Sequence, residues 1–301
     1  MFPMSAVYDT RFAPSPTGMP TLGSARTAYL NYLMARATGG RFVLRVDDTD
    51  AARNVPGAVD ALYAMMDYLG LDYDVTYMAS KRLPRYRAVA DALLKAGLAK
   101  RLDNGAVALD LCGAGMVDLV PRAVTDMVVG VMATGRDRVN AAANLVLLRS
   151  DGSPLYNFAS AVDDSDDRTA LVLRGVDMSS NTVTNLTVLM AMKAAGMDVS
   201  VPKFASLGLL LDPSTGRKLS KRVGGNSVLD LRDAGIPAPA VLNYVLRMGF
   251  GPVGDNRSNA LMPTDAALSV MRTGAFNLNA RPSMLDPAKL DAYARKYRIR
   301  L

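Results

Sequence analysis

The strongest constraint on what this chain can fold into is the alternation in its first seventy residues. Residues 6–13 form a short extended run that ends in the turn PSPTG at 14–18. A helical stretch follows over 24–38, with Leu30, Leu33 and Met34 at helical spacing and Gly39-Gly40 as its stop. Residues 41–46 read as a compact apolar strand, 47–50 as a burst of acids, and 56–69 as a second amphipathic helix. Strands and helices in this order predict an α/β fold, a parallel sheet with crossover helices. From about Lys81 to Leu148 the rhythm breaks. Helices expected at 82–96 and 121–129 flank short apolar pieces such as 106–111, as in an inserted subdomain. The rhythm returns with a strand at 169–173, a helix at 181–196 and a strand at 204–211. The remainder is mostly helical, at 228–234, 238–248, 264–273 and 287–296, with no internal repeat.

A chain of 301 residues suggests one large or two to three modest domains. With 50% hydrophobic and 21% charged residues it can bury real cores. It has no run of eighteen apolar residues and no basic-then-apolar leader, so neither a membrane span nor a secretory route is expected. A cytoplasmic location is the corresponding expectation. Cys112 alone can form neither an internal disulfide nor a multi-cysteine zinc site. All 28 acids are Asp, and Glu, Gln, His and Trp are absent altogether. Histidine bases, histidine metal ligands and glutamate acids are therefore excluded, and with them serine–histidine hydrolases, zincins and most glycosidases. Catalysis is left to Lys, Arg, Asp, Tyr, Ser, Thr, backbone amides and any bound metal.

Two clusters suit phosphate chemistry. The first is RFAPSPTG at 11–18 followed by Thr21, Leu22, Gly23 and Ser24 at a helix start. Free amide N–H groups there face an anion, and Gly23 lets a ring or phosphate approach the backbone. An ordinary βα turn would look the same. The second is GRKLSKR at 216–222, whose four cations suit a polyphosphate or a solvated basic loop. In an open parallel sheet both loops would converge at the carboxyl ends of the strands.

In these motifs the chain resembles the catalytic part of the glutamate–tRNA ligases, which are class I aminoacyl-tRNA synthetases. RFAPSPTG, RVDDTD at 45–50, LRSDGSPLY at 148–156, VDD at 162–164 and KLSKR at 218–222 fall in the family's order. Arg174-Gly175, the residues 180–182, and the later stretches 241–244 and 286–290 complete the register. The resemblance implies a class I synthetase Rossmann-type parallel sheet that activates glutamate with ATP and Mg²⁺ and transfers it to the 3′ end of tRNA. It implies that Arg11 and Arg174 hold the substrate's side-chain carboxylate, with Tyr156 as a hydroxyl partner. Asp47 falls where the family grips the ammonium with Glu. Ala13 and Ser15 line the same pocket, and Ser160 stands where Asn is frequent. Thr21, Gly23, Ser24, Lys218, Ser220 and Lys221 fall on the ATP-binding motifs, with Lys218, Lys221 and Thr21 as the catalytic contacts. Asp163 and Asp164 are kept as a loop or helix-cap pair.

The departures follow one rule. The family's H-[IVL]-G element is Thr21-Leu22-Gly23, Asp47 replaces Glu, and Met178 and Ser206 replace His. Positions built from Arg, Lys, Asp, Ser, Pro and Gly survive, which suggests a deliberately reduced alphabet. The resemblance divides the chain into a first Rossmann half at 1–79, an acceptor-stem-binding insertion at 80–156, a second half at 157–222 and a helical stem-contact region at 223–301. It leaves no anticodon-binding domain. The expected partners are glutamate and the acceptor end of tRNA, bound in a salt-sensitive manner with help from the net charge of +7, by a chain expected to be a monomer without zinc. Two rivals remain: a glutamyl-queuosine tRNA(Asp) synthetase, and a catalytically dead RNA-binding pseudo-synthetase.

Overall fold

The computed structural model describes residues 2–218, 227–254 and 260–299. Its first part runs β1 (Thr10–Phe12), α1 (Leu22–Thr38), β2 (Phe42–Val46), α2 (Ala58–Leu69) and β3 (Val75–Met78). Next come α3 (Leu83–Lys95), β4 (Ala99–Arg101), β5 (Val107–Leu109), β6 (Ala123–Asp126), β7 (Gly130–Ala133), α4 (Arg136–Ala143) and β8 (Val146–Leu148). They are followed by α5 (Tyr156–Asp166), β9 (Leu171–Gly175), α6 (Asn181–Ala194), β10 (Lys203–Leu207) and β11 (Leu210–Leu211). The last part holds α7 (Val228–Asp233), α8 (Ala238–Leu246), β12 (Phe250–Pro252), α9 (Thr264–Thr273), β13 (Phe276–Leu278), β14 (Ser283–Met284) and α10 (Pro287–Arg298).

A seven-stranded sheet in the order β3-β2-β1-β9-β10-β6-β7 organises the chain. Its pairings are parallel except for the β6–β7 hairpin. From β1 the chain builds outward to β2 and β3, then crosses back to lay β9 and β10 on the other side of β1. The connections leaving β1 and β9 therefore diverge, and a crevice opens at the carboxyl ends of these two strands.

The α1 helix explains how the crevice is held. It buries Leu30, Leu33 and Met34, as its spacing predicts, but Ala25, Ala28 and Tyr29 as well. A helix apolar on most of its circumference must be covered on two sides. Here the sheet covers one side and α8 and α9 the other, in a single core that joins Phe42, Leu44 and Leu173 to Val241, Tyr244 and Met271. A second core gathers Tyr86 and Leu93 of α3, Phe158 of α5 and Val188 and Met192 of α6 around β5 and β8. The stop of α1 is chemical: Gly39 adopts φ +72°, and a side chain on Gly40 would meet the Tyr8 carbonyl oxygen at 2.2 Å.

Three expectations change. Residues 121–129 form strand β6 and a turn, not a helix. Asp126 accepts the Val128 and Val129 N–H groups at 2.8 and 2.9 Å through one carboxylate oxygen, and the β-branched Val124 and Thr125 suit an extended chain. Residues 204–211 are two strands, broken at Gly208, where a Cβ would lie 1.9 Å from the Arg281 carbonyl oxygen. Asp163 and Asp164 lie within α5, fully buried, rather than in a loop or at a cap.

Candidate active site

A cavity of about 690 Å³ sits over the carboxyl ends of β1, β2, β9 and β10, within the usual size of a small-molecule site. Arg11, Ala13, Ser15, Thr21, Gly23, Ser24, Asp47, Tyr156, Arg174 and Lys218 all line it. The sheet thus brings together residues that lie more than two hundred positions apart in the chain, Arg11 and Lys218 among them. Ser160 does not reach the cavity. It is buried beneath it, where its Oγ accepts from Arg45 Nη2 at 3.1 Å. Ser220 and Lys221 lie outside the described residues.

One end of the cavity is made by the start of α1. Thr21 is its N-cap, and Ser24 Oγ accepts the Thr21 N–H at 3.3 Å. The first turn of α1 carries no acid, so the positive end of the helix dipole faces the cavity uncompensated. A Cβ on Gly23 would meet only Thr21 Oγ1, at 3.5 Å, so the protein's own packing does not require glycine there. Across the cavity, Lys218 forms an ion pair with Asp177, in the turn after β9. Asp177 was not singled out from the sequence because no motif marks it.

The other end is built from guanidinium groups in two different states. Arg174, at the end of β9, donates to Asn185 Oδ1 at 3.1 Å and Thr182 Oγ1 at 3.0 Å and lies over the Phe204 ring. It has no ion pair with a carboxylate among the described residues, and burial, reinforced by Arg11, lowers its pKa to about 10. Arg11 instead pairs through Nε with Asp164 Oδ1 at 3.0 Å. Tyr156 opens α5 half-buried, its hydroxyl pKa raised by burial and by Asp47. Asp47 faces Arg45 with both oxygens, at 2.7 and 3.5 Å. Burial pushes its carboxyl up against the pull of Arg45.

Arg45 opens the RVDDTD motif, which assigns it no role. Fully buried, it also pairs with Asp164 Oδ1 at 2.8 Å and lies 3.8 Å from both Asp163 and Asp167. Arg82 and Arg85 close the cluster through Asp163 and Asp166. Among the described residues, the cluster's carboxylates (Asp47, Asp163, Asp164, Asp166, Asp167) outnumber its guanidiniums (Arg11, Arg45, Arg82, Arg85) by one. Burial raises the Asp164 carboxyl, yet Arg11 and Arg45 together hold it below the ordinary aspartate value. At Asp163 burial wins over Arg45 and Arg82, and the pKa rises to about 7. Between about pH 4, the unfolded value, and pH 7 the folded chain keeps a proton there that the unfolded chain has released. That contribution to stability is present at low pH and lost as pH rises to 7. In Asp163→Asn the urea midpoint is expected to lose this downward slope between pH 4.5 and 7.5. A slope equal to the parent's would contradict it.

The fold and cavity define an α/β site at the carboxyl ends of a parallel sheet, lined by a helix start and a buried arginine. The fold is that of a solved glutamate tRNA ligase from Elizabethkingia meningosepticum in complex with its amino acid, at a TM-score of 0.78 and 23% identity over 98% of this chain and 70% of that one. A methionyl-tRNA synthetase from Mycobacterium tuberculosis shares it at 0.58 and 14% identity, over 95% of this chain and 67% of that one. The chain belongs to the family "tRNA synthetases class I (E and Q), catalytic domain", whose profile matches residues 8–106 and 118–273. Among curated relatives, a glutamate–tRNA ligase 2 from Neorickettsia sennetsu is 40% identical over 241 residues, 80% of this chain and 55% of that protein. A glutamate–tRNA ligase from Nitrosomonas eutropha is 38% identical over 277 residues, 81% of this chain and 58% of that protein. The chain thus spans little more than half the length of these relatives. No helix among the described residues is long and apolar enough to cross a membrane.

Proposed function

We propose that this catalytic domain activates glutamate with ATP and transfers the glutamyl group to the 3′ end of tRNA. The observation that carries the reading is Arg174, a buried guanidinium on the cavity wall whose hydrogen-bond partners among the described residues are neutral. A carboxylate offers it two charged acceptors where an amide offers one neutral one. Arg11 supports that end of the site, oriented by Asp164. In the reaction the glutamate α-carboxylate attacks the α-phosphorus of ATP, the bond to the bridging oxygen breaks, and pyrophosphate leaves; a Mg²⁺ bound with the ATP would share the charge on its phosphates. The start of α1, Lys218 and Lys221 supply positive charge to the phosphates, and Ser220 of the same motif offers a hydroxyl donor. In the transfer step a terminal ribose hydroxyl of a tRNA, held through salt-sensitive phosphate contacts by a single cytoplasmic chain, attacks the glutamyl carbonyl of the adenylate, and AMP leaves.

Thr21 and Asp47 weaken this chemistry. Thr21 offers one hydroxyl where the family has a His, and Asp47 is one methylene shorter than Glu and tied to Arg45. They favour a slow enzyme and are the features that a catalytically dead RNA-binding form would also carry. We read the absence of Glu, Gln, His and Trp as a restricted alphabet imposed by design or laboratory selection. A native gene of the same composition would refute that. The glutamyl-queuosine alternative is disfavoured by the lone Cys112, because that family usually carries a cysteine-rich zinc site in its insertion.

The test is glutamate-dependent ATP–pyrophosphate exchange with tRNA present, against a Lys221→Ala control. Exchange above the control is expected, and none above it supports the dead form. Thr21→His is expected to raise the exchange rate by about tenfold or more by restoring a charged phosphate contact. Gly23→Ala separates ligand from fold. A methyl there is sterically free in the protein and improves helix propensity, so thermal stability should hold or rise slightly. The KM for ATP should rise about tenfold, equivalent to ~1.4 kcal/mol, because the methyl occupies the nucleotide's space. An unchanged KM would remove Gly23 from the nucleotide contact.

A further inference from the structure

Arg26 lies one turn into α1, beyond the residues that any motif assigns to the site. It is 4% exposed. Its Nη1 donates to the Met248 carbonyl oxygen at 2.9 Å and its Nη2 to the Gly208 carbonyl oxygen. Nε has no partner, and no carboxylate pairs with the group among the described residues. Burial lowers its pKa to about 10, so it stays charged near neutrality. A buried cation with two neutral acceptors is an expensive way to fill a core, and an apolar side chain of similar volume would fold at least as well. Folding alone does not account for Arg26.

Its partners do. Gly208, Leu209 and Leu210 form a wall of the cavity, directly after β10. The same wall is held from behind by the C-terminal part of the chain. Leu209 O accepts from Ser283 N–H at 2.8 Å and Leu211 O from Leu285 N–H at 3.0 Å, and β11 pairs in parallel with β14. Met248 follows α8, whose Tyr244 and Val245 share the core of α1. One guanidinium therefore joins the helix whose start lines the cavity, the 208–210 wall and the helical C-terminal part.

We propose that Arg26 is a positioning residue for the nucleotide: it sets the spacing between the α1 N-terminus and the 208–210 wall, and brings to the cavity lining a positive charge with no carboxylate partner among the described residues. The inference rests on the ATP-dependent reading above and extends it to the C-terminal part, whose strand β14 then forms the back of the nucleotide site.

The experiment uses Arg26→Met and Arg26→Lys in the full chain. It measures KM for ATP and for glutamate separately in exchange, ATP affinity by calorimetric titration, and thermal melting. Arg26→Met is expected to raise the KM for ATP and weaken the titrated affinity by roughly ten- to a hundredfold. The KM for glutamate should stay within about twofold, and melting should be no lower than the parent's. Arg26→Lys keeps the charge but cannot span both carbonyls, and should fall between. An unchanged ATP affinity in both variants overturns the proposal, as does a parallel loss for ATP and glutamate. If Arg26→Met does not fold, the ATP-selective shift in Arg26→Lys decides in the same way. A parent that binds ATP but shows no exchange counts against the activity reading alone, and the ATP titrations still decide the role of Arg26.

Discussion

Arg174→Met is expected to lower kcat/KM for glutamate by roughly a thousandfold while leaving the protein as stable as before. The two halves of this result have one cause. Arg174 is buried at the end of β9, and among the described residues its hydrogen-bond partners are an amide and a hydroxyl, with no carboxylate to answer its charge. Removing an unanswered buried charge relieves a desolvation cost, and methionine fills a similar volume over Phe204. The substrate carboxylate loses its bidentate partner, which in a water-poor site is worth several hydrogen-bond equivalents. Exchange assays at varied glutamate and a thermal melt of the same preparation read both quantities. A variant that keeps its kcat/KM would move carboxylate recognition away from Arg174. One that loses activity and stability together would make Arg174 a structural residue.

Asp164→Asn should do the opposite, destabilising the fold by about 3–5 kcal/mol. Asp164 is the shared anion of Arg11 and Arg45, at 3.0 and 2.8 Å, with all three side chains under 5% exposed. Its replacement strands two buried guanidiniums beside one neutral amide. Urea unfolding at pH 7 measures the loss. The exposed pair of Arg36 with Asp72 is a matched control, where Asp72→Asn should cost less than about 1 kcal/mol. A cost for Asp164→Asn no greater than the control's would show that the cluster is held by something other than its charges. Together the two variants separate the site's arginines: Arg174 has neutral partners among the described residues, and Arg11 is paired with Asp164.

Much of this was legible along the chain because the signals are local. The spacing of Leu30, Leu33 and Met34 and the stop at Gly39-Gly40 mark α1 to within two residues of its observed start. The turn after β1 and the burst of acids after β2 lie at the ends of strands, and a parallel sheet places such ends on one side. The failures are equally physical. Residues 121–129 contain no breaker that distinguishes a strand from a helix. Their conformation is decided by Asp126, which takes the N–H and hydroxyl of Ser206, 80 positions away, at 3.1 and 2.7 Å. Asp163 and Asp164 resemble a polar cap on paper, since nothing nearby announces that Arg11, Arg45 and Arg82 will converge on them.

The sequence by itself determined the sheet-and-helix order, the class of chemistry left open once Glu, Gln, His and Trp are missing, and the residues that could meet phosphate or carboxylate. These follow from side-chain type and short-range periodicity, which need no partner to be read. Only the tertiary structure decided which cations are free. Arg11, Arg26, Arg45 and Arg174 are the same residue in sequence. Burial ties Arg11 to Asp164, Arg26 to a pair of carbonyls and Arg45 to a cluster of carboxylates, and gives Arg174 neutral partners among the described residues. The difference is long-range electrostatics in a desolvated interior, where a charge's role is set by which partners the fold brings within about 3 Å.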